Sequence, residues 1–420
     1  MNKIEKIVYD LLKENPKVKL FVRNWYQRAF DLLPNRKDFS VNDIDFKKGY
    51  FFGFHDVSPF SIDNKLLLAN KLLLTDKIQM PKKTDLLEVG YFDFDGGIGE
   101  YHKIGESAAW NYHKGCRLQW LPDNKIIYNI HNNSKLSSII YDFKNKSNKE
   151  VDFPIDSVSK DGNYATNFSY ERLQELMPGY GYIYQDNGCL AENTPKETGL
   201  FIVDLKLNER KLVVSLFDLS RLGDIDKEHL NKRHYVTHTL YSSDSKYIAF
   251  LHRWIGEDVK KRWSRLIVYD IMNDSFSIAP TNDMVSHYVW NDKNQIIAYC
   301  RVGDIDAHYL FLDHTLQEYN IVAYPEINSD GHQSFIRSDC FITDTYPDKY
   351  RMAKLFSVNI DSNEVKLLAN LNSLKKYQTI DPRNHWACDF HPRMDSQGKY
   401  VCFDSVHTGE RSICVMKIDS

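Results

Sequence analysis

Apolar positions along the chain change period once. In the first 45 residues, Ile4, Ile7, Val8, Leu11 and Leu12 recur at helical spacing between Lys and Glu, and Pro16 ends that stretch. A second helical run, "LFVRNWYQRAFDLL", stops near Pro34. From about residue 50 the pattern becomes short apolar runs bounded by polar turns. These read "SIDNKLLLAN", "LPDNKIIYNI", "SKDGNYATNF", "SSDSKYIAFL", "NDKNQIIAYC", "IRSDCFITDT" and "DSQGKYVCFD". Asp, Asn, Ser and Gly in each turn supply the geometry that reverses one strand into the next. Several units continue into a further strand, as in "LIVYDIMNDS", "LFSVNIDSNEVKLL" and "SICVMKIDS".

Each unit is therefore a meander of four strands. A β repeat of roughly 40–50 residues is the period of a propeller blade. Seven units predict an all-β fold, a seven-bladed β-propeller over residues 46–420, preceded by a short N-terminal helical segment over 1–45. The interval between the third and fourth turns is long and contains "YERLQELMPGYGY" and "DKEHLNKRHY". It predicts an insertion at about 165–235 on one face, in the position of a lid. A two-sheet sandwich is the structural alternative.

Composition agrees with a β fold: Tyr (26) and Phe (23) are abundant. A net charge of -3 without a basic stripe argues against nucleic acid as a partner. The seven cysteines are scattered and form no CxxC, so neither a disulfide framework nor a zinc knuckle is expected. No run of about 18 apolar residues occurs, so no transmembrane segment is expected, and cytoplasmic is the expected location. Walker, GxSxG and HExxH motifs are absent, and "DGGIGE" reads as a turn.

The candidate chemistry lies just before the turns. His55, His113, His238, His287, His332 and His391 each precede one, and only the third unit lacks a histidine, offering Asp156 and Ser157 instead. Fifteen histidines spread over 420 residues would rarely fill six of seven such slots. Residues at one phase of each innermost strand converge on the channel mouth of a propeller. A ring of imidazoles there can ligate a metal, move protons near neutral pH or donate to an anion. The bland alternative is a set of histidines that each bond a neighbouring strand.

Asp389 and His391 sit two apart on an extended segment and share a face. With His332 they make a nitrogen and oxygen donor set suited to Mn²⁺, Zn²⁺ or Fe²⁺. His385, Arg383 and Trp386 lie close by in sequence. In "LHRWIGEDVKKRWSRLIVYD", Arg253, Arg262 and Arg265 offer forks for a carboxylate or phosphate, and Trp254 and Trp263 offer faces for a sugar ring. A solvated hairpin with packed tryptophans is the plain reading of the same stretch.

"VTHTLYSSDSKYIAFLHRW", "SRLIVYD", "VSHYVW", "DGHQSF" and "DFHPRMDSQGKYVCFDS" occur in an order that resembles the oligogalacturonate lyases, which are seven-bladed propellers. The resemblance is good over about 230–420 and loose over 50–220. The chain also resembles propeller proteins of bacterial surface-polysaccharide gene clusters. The lyase resemblance implies a Mn²⁺ ion at the channel mouth, with His332 and His391 among its ligands. It implies His287 as the base and Arg265 as the assisting arginine. Asp389 stands where that family has a further His ligand, and Trp386 stands near its Gln ligand.

The implied function is a metal-dependent polysaccharide or oligosaccharide lyase acting on uronic acid residues by β-elimination. Catalytic residues would be His287 and Arg265, and metal ligands His332, Asp389 and His391. His55, His113, His238, Arg253, Trp254 and His385 are the candidate substrate contacts. The partner is then an acidic oligosaccharide or polysaccharide. The alternative is a non-catalytic propeller that binds glycan or scaffolds surface-polysaccharide biosynthesis, meeting a protein partner through its N-terminal helices. Hydrolysis or glycosyl transfer at the same ring is a third reading.

Overall fold

The repeated turns have a common chemical cause. In "SID", "SKD" and "SSD" the serine hydroxyl donates to the aspartate two residues on, at 2.7 Å for Ser61–Asp63, 2.6 Å for Ser159–Asp161 and 2.8 Å for Ser242–Asp244. The same carboxylate oxygen accepts the next-but-one backbone N–H, from Lys65, Asn163 and Lys246. Asn64 and Ser245 take the left-handed conformation that closes the turn (φ 54° and 61°).

The computed structural model describes residues 36–74, 78–132, 135–183, 190–257, 261–378 and 385–418, together with Val22 and Phe30. Seven antiparallel sheets form the blades of a propeller. Blade one holds Tyr50–Phe51, Leu66–Leu72, Leu87–Phe94 and Ile98–Ser107. Blade two holds Gln119–Leu121, Lys125–Asn132, Lys135–Asp142 and Ser147–Val151. In blade three the inner strand shrinks to the single bridge Val158–Ala165, beside Tyr164–Asn167, Gly199–Asp204 and Glu209–Ser215. Blade four comprises Arg233–Tyr241, Tyr247–Ile255, Arg262–Asp270 and Ser275–Ile278. Blade five comprises Val285–Trp290, Ile296–Val302, Ile305–Phe311 and Tyr319–Val322. Blade six runs through Gln333–Arg337, Cys340–Asp344, Met352–Asn359 and Val365–Asn372, and blade seven through Arg393–Met394, Tyr400–Ser405 and Ser412–Lys417.

The core lies between blades, because both faces of each sheet are covered. In Ile296–Val302 the alternate residues Ile296, Ala298 and Cys300 pack against Leu251 and Leu266 of blade four. Ile297, facing the other way, packs with Phe341 and Val358 of blade six.

The N-terminal side of the chain closes the circle. Ile44–Lys48 is the outer strand of blade seven, from Ile44 opposite Met416 to Lys48 opposite Ser412. Phe39–Ser40 adds a fifth strand to blade six. The propeller thus starts by residue 39, inside the segment expected to be helical. Val22 and Phe30 are helical, and the rest of that expectation lies outside the described residues.

The expected insertion at 165–235 is two excursions rather than one, because strands Gly199–Asp204 and Glu209–Ser215 of blade three lie within it. The first excursion carries helix α1 (Tyr170–Leu176), capped by the Ser169 side chain accepting from Arg172 N–H, and the second carries helix α2 (Leu216–Leu219). In an antiparallel blade, the connection between its second and third strands shares an end with the connection into the next blade. Both excursions therefore stand at the end where each inner strand begins. The six described cysteines are free. No helix among the described residues is long and apolar enough to cross a membrane.

Candidate active site at the channel mouth

His113, His332 and His391 precede the inner strands of their blades, His55 follows Tyr50–Phe51, and His238 and His287 lie within Arg233–Tyr241 and Val285–Trp290. His238 and His287 sit where the ladder slips register, between Thr237 and Leu240 in blade four and between Val285 and Tyr288 in blade five. His238 and His391 have φ of 53° and 45°, a region that residues other than Gly seldom occupy. Such bulges re-aim a side chain that the regular ladder would bury between sheets. At Gly331 a Cβ would lie 1.9 Å from the Asp344 carbonyl oxygen, so only glycine lets the chain pass into His332.

Inside the channel the imidazoles are in mutual contact. Ring centroids are 4.0 Å apart for His287–His332, 4.2 Å for His332–His391, 5.2 Å for His55–His332, 5.9 Å for His113–His391 and 6.2 Å for His238–His287. Phe54 occupies the middle, 4.5 Å from His55, 4.8 Å from His238 and 5.0 Å from His391. Asp156, the blade-three residue at the same phase, is a clamp instead of a ring member. Its carboxylate accepts from Lys114 Nζ (2.6 Å), Tyr170 Oη (2.8 Å) and Thr239 N (2.9 Å).

The outward ring nitrogens are bonded and the inward ones are not. His55 Nδ1 donates to the Gln333 carbonyl oxygen at 2.7 Å, and His332 Nδ1 to Asp344 at 3.0 Å. Nε2 of His55, His238, His332 and His391, Nδ1 of His113 and Oδ2 of Asp389 are buried with no hydrogen-bond partner among the described residues. Buried polar atoms are rarely left so. Six at one place mark a candidate binding site.

Burial holds the pKa of His55, His113, His238, His287 and His391 well below the usual imidazole value, so these rings are neutral at pH 7. His332 differs. Burial pulls it down, but Asp344 and Asp389 outweigh that and raise it. Burial pushes the Asp389 carboxyl up to about 6, against the pull of His332.

Donor atoms of His113, Asp389 and His391 all lie within 4.8 Å of one another, with His113 Nδ1 3.7 Å from Asp389 Oδ2. The expected metal set was His332, Asp389 and His391. The fold brings Asp389 and His391 together with His113, and seats His332 against the His391 ring. Neutral imidazoles and one carboxylate, partnerless and buried, fit a borderline divalent cation.

Other expected residues divide by strand alternation. Arg253 faces the ring: it donates to the Val285 and Ser286 carbonyl oxygens (3.1 and 3.0 Å), directly before His287. Trp254 points to the opposite face and is buried against His234 and His252, with ring centroids 5.5 and 5.3 Å away. Arg265 shares that far face. Its guanidinium donates to Leu219 O (2.9 Å), Leu222 O (2.8 Å) and His252 Nδ1. Trp254 and Arg265, expected as a substrate contact and a catalytic residue, thus make their contacts on the face away from the ring. One position in a strand reverses the face.

His385 does reach the site, hydrogen-bonded through Nδ1 to His113 Nε2, while Tyr180 of the first excursion stacks on His113 at 4.6 Å and 8°. Trp386 turns away and donates to Lys376 O at 3.2 Å. Arg383 lies outside the described residues.

Two carboxylates were missed in the sequence. Asp330 lies 3.3 Å from His287 Nδ1 and accepts from Ser286 Oγ at 2.5 Å. Asp344 orients His332. Hairpin counting finds it, since Gln333 pairs with Thr343 and so sets His332 opposite Asp344.

This is a seven-bladed propeller whose inner strands deliver a histidine and carboxylate cluster to one mouth. The fold is similar to that of an oligogalacturonate lyase from Vibrio parahaemolyticus, with a TM-score of 0.58 and 12% identity over 92% of this chain and 99% of that one. The tricorn protease matches with a TM-score of 0.50 and 13% identity, over 92% of this chain and 34% of that chain. An oligogalacturonate lyase in complex with manganese gives 0.40 and 11%, over 92% and 99%. At these identities the likeness is one of fold. No family model and no curated protein matches the sequence.

Proposed function

We propose that this propeller is a divalent-metal-dependent polysaccharide or oligosaccharide lyase that cleaves at uronic acid residues by β-elimination. The observation that carries the reading is the convergence of partnerless imidazole nitrogens and Asp389 Oδ2 beside a His287–Asp330 pair. The lyase-like fold supports it. His113, Asp389 and His391 would hold the metal, with His332 alongside. A bound divalent ion there would draw charge from the substrate carboxylate and so acidify the adjacent C–H.

The chain's own groups supply the rest. Arg262 stands at the second-to-third strand connection of blade four, exposed, near Tyr235, Tyr180 and Tyr346, and without a carboxylate partner among the described residues. It takes the substrate carboxylate, the role expected of Arg265. Neutral His287, with Nδ1–H donated to Asp330, presents Nε2 as general base. Nε2 removes the C5 proton of the uronate. The C5–H electron pair becomes the C4–C5 double bond, the C4–O bond breaks, the leaving sugar oxygen takes up a proton from water, and His287 returns its own proton to solvent. Phe54 fills the middle of the ring, and His385 and Tyr180 border His113.

The test is ultraviolet absorbance of the conjugated unsaturated uronate. Purified protein with Mn²⁺ or Zn²⁺ is expected to generate it from a uronate-containing oligosaccharide, and His287→Gln to abolish it. No product from any of a broad panel of uronate oligosaccharides sinks the lyase reading.

A further inference from the structure

Beside the ring, a cavity of about 350 Å³ opens between blades six and seven. Three connections build it. Tyr346, Asp348 and Arg351 come from the loop between the second and third strands of blade six, Tyr377 and Gln378 follow its fourth strand, and Asp389 leads into blade seven. The cavity adjoins the ring at two points. Tyr346 packs edge-on against His332 at 5.8 Å on one side and lines the cavity on the other. Asp389 lines the cavity and also belongs to the cluster with His113 and His391. A ligand extending from the ring therefore runs into this space.

The two compartments differ in charge. Over the ring stands Arg262, an exposed cation with no carboxylate partner among the described residues. Apart from Asp389, which belongs to the ring cluster, the cavity lining carries one carboxylate, Asp348, and one guanidinium, Arg351. Arg351 Nη1 donates to Gln378 Oε1 at 2.8 Å. Asp348 Oδ1 accepts the Tyr350 and Met352 N–H groups at 2.8 and 3.0 Å. A second carboxylate placed here would face Asp348, with one guanidinium beside it, so the lining offers it no net positive charge. Tyr346, 42% exposed, offers an apolar face bordered by hydroxyl and amide groups. The volume is at the small end for ligand pockets, about 300–1,000 Å³, which suits a single sugar ring.

We infer that the substrate is a mixed glycan: the uronate at the ring is linked to a neutral hexose seated in the cavity between blades six and seven. This rests on the uronate reading of the ring, and it distinguishes the protein from an enzyme of homouronate chains.

The test is calorimetric binding in the Mn²⁺-loaded His287→Gln protein, which removes the base and prevents turnover. The probes are a free uronate, a diuronate and a disaccharide of uronate and neutral hexose. The mixed disaccharide is expected to bind about tenfold tighter than either of the others. Asp348→Asn keeps the Oδ1 acceptor of the turn and removes the charge, and is expected to strengthen diuronate binding selectively. Tyr346→Ala is expected to erase the gain of the mixed disaccharide over the free uronate. Equal or tighter binding of the diuronate by the parent protein, or an unchanged preference in Asp348→Asn, overturns the inference alone. Failure of all three probes to bind overturns the uronate reading and this inference with it.

Discussion

His332 Nδ1 lies 3.0 Å from Oδ1 of Asp344, the last residue of the adjacent strand. The same oxygen accepts His332 N–H at 2.6 Å, and Oδ2 accepts His391 N–H at 3.0 Å. One buried carboxylate thus sets two ring histidines. Asp344→Asn replaces one acceptor with a donor that meets an N–H group. The expected cost is about 1–3 kcal/mol of stability, read from urea unfolding. Mn²⁺ affinity is expected to fall about 10–100-fold, as when a group orienting a metal ligand is lost. Unchanged affinity in titration calorimetry would confine Asp344 to a structural role.

The pair His287–Asp330 makes a separable prediction. An Asn at 330 would donate to Nδ1, leaving the proton on Nε2 and the base blocked. Asp330→Asn is expected to lower kcat by about 10²–10⁴-fold while KM changes little. A KM rise at constant kcat would assign Asp330 to substrate binding instead.

The blades were legible because their turns share Asp, Asn, Ser and Gly, and three of them use one chemical device, Ser-x-Asp closing on a backbone N–H. The ring was legible for a related reason: each histidine stands a short way ahead of its turn. What could not be read was the face of each strand. Arg253 and Trp254 are neighbours in sequence, yet one borders His287 and the other is buried beside His252. His113 in place of His332 beside Asp389 depends on how blade two meets blade seven across the channel, a contact between residues far apart in the chain. Strands at Phe39–Ser40 and Ile44–Lys48 were missed because they complete sheets formed by the far end of the chain.

A second histidine cluster contributes to acid sensitivity. On the outer face of blade four, Arg265 donates to His252 Nδ1 at 3.1 Å, His252 Nε2 donates to His234 Nδ1 at 2.9 Å, and His234 Nε2 donates to the His229 carbonyl oxygen at 2.9 Å. The chain requires both imidazoles to be neutral. Burial lowers His252 well below 6.5 and His234 to about 4. The folded state therefore disfavours protonation. The stability His234 contributes is fully present above pH 6.5, the unfolded value, and is lost as pH falls towards 4. The loss is about 3 kcal/mol for this residue alone. His234→Gln is expected to be less stable at pH 7.5 and to lose less between pH 7.5 and 4.5 than the parent, in urea unfolding at several pH values. Parallel pH slopes would contradict the assignment.

Closure of the circle depends on a buried pair. Arg393 Nη2 lies 2.8 Å from Asp404 Oδ2, and both residues are fully enclosed in blade seven. Asp404 accepts the N–H groups of Phe52 (3.0 Å) and Gly53 (3.2 Å), while Arg393 donates to the carbonyl oxygens of Gly53 and Phe54. The pair thus fixes the chain that carries Phe54 and His55 into the channel. Arg393→Met leaves Asp404 buried without its counter-charge, with an expected cost of about 3–5 kcal/mol. Arg393→Met with Asp404→Asn removes the stranded charge and keeps one acceptor for the backbone. It is expected to recover part of that loss while still releasing Phe54 and His55, so that Mn²⁺ binding weakens even where the fold is retained. Full recovery of metal binding in the double variant would show that the ring holds its geometry without this tie.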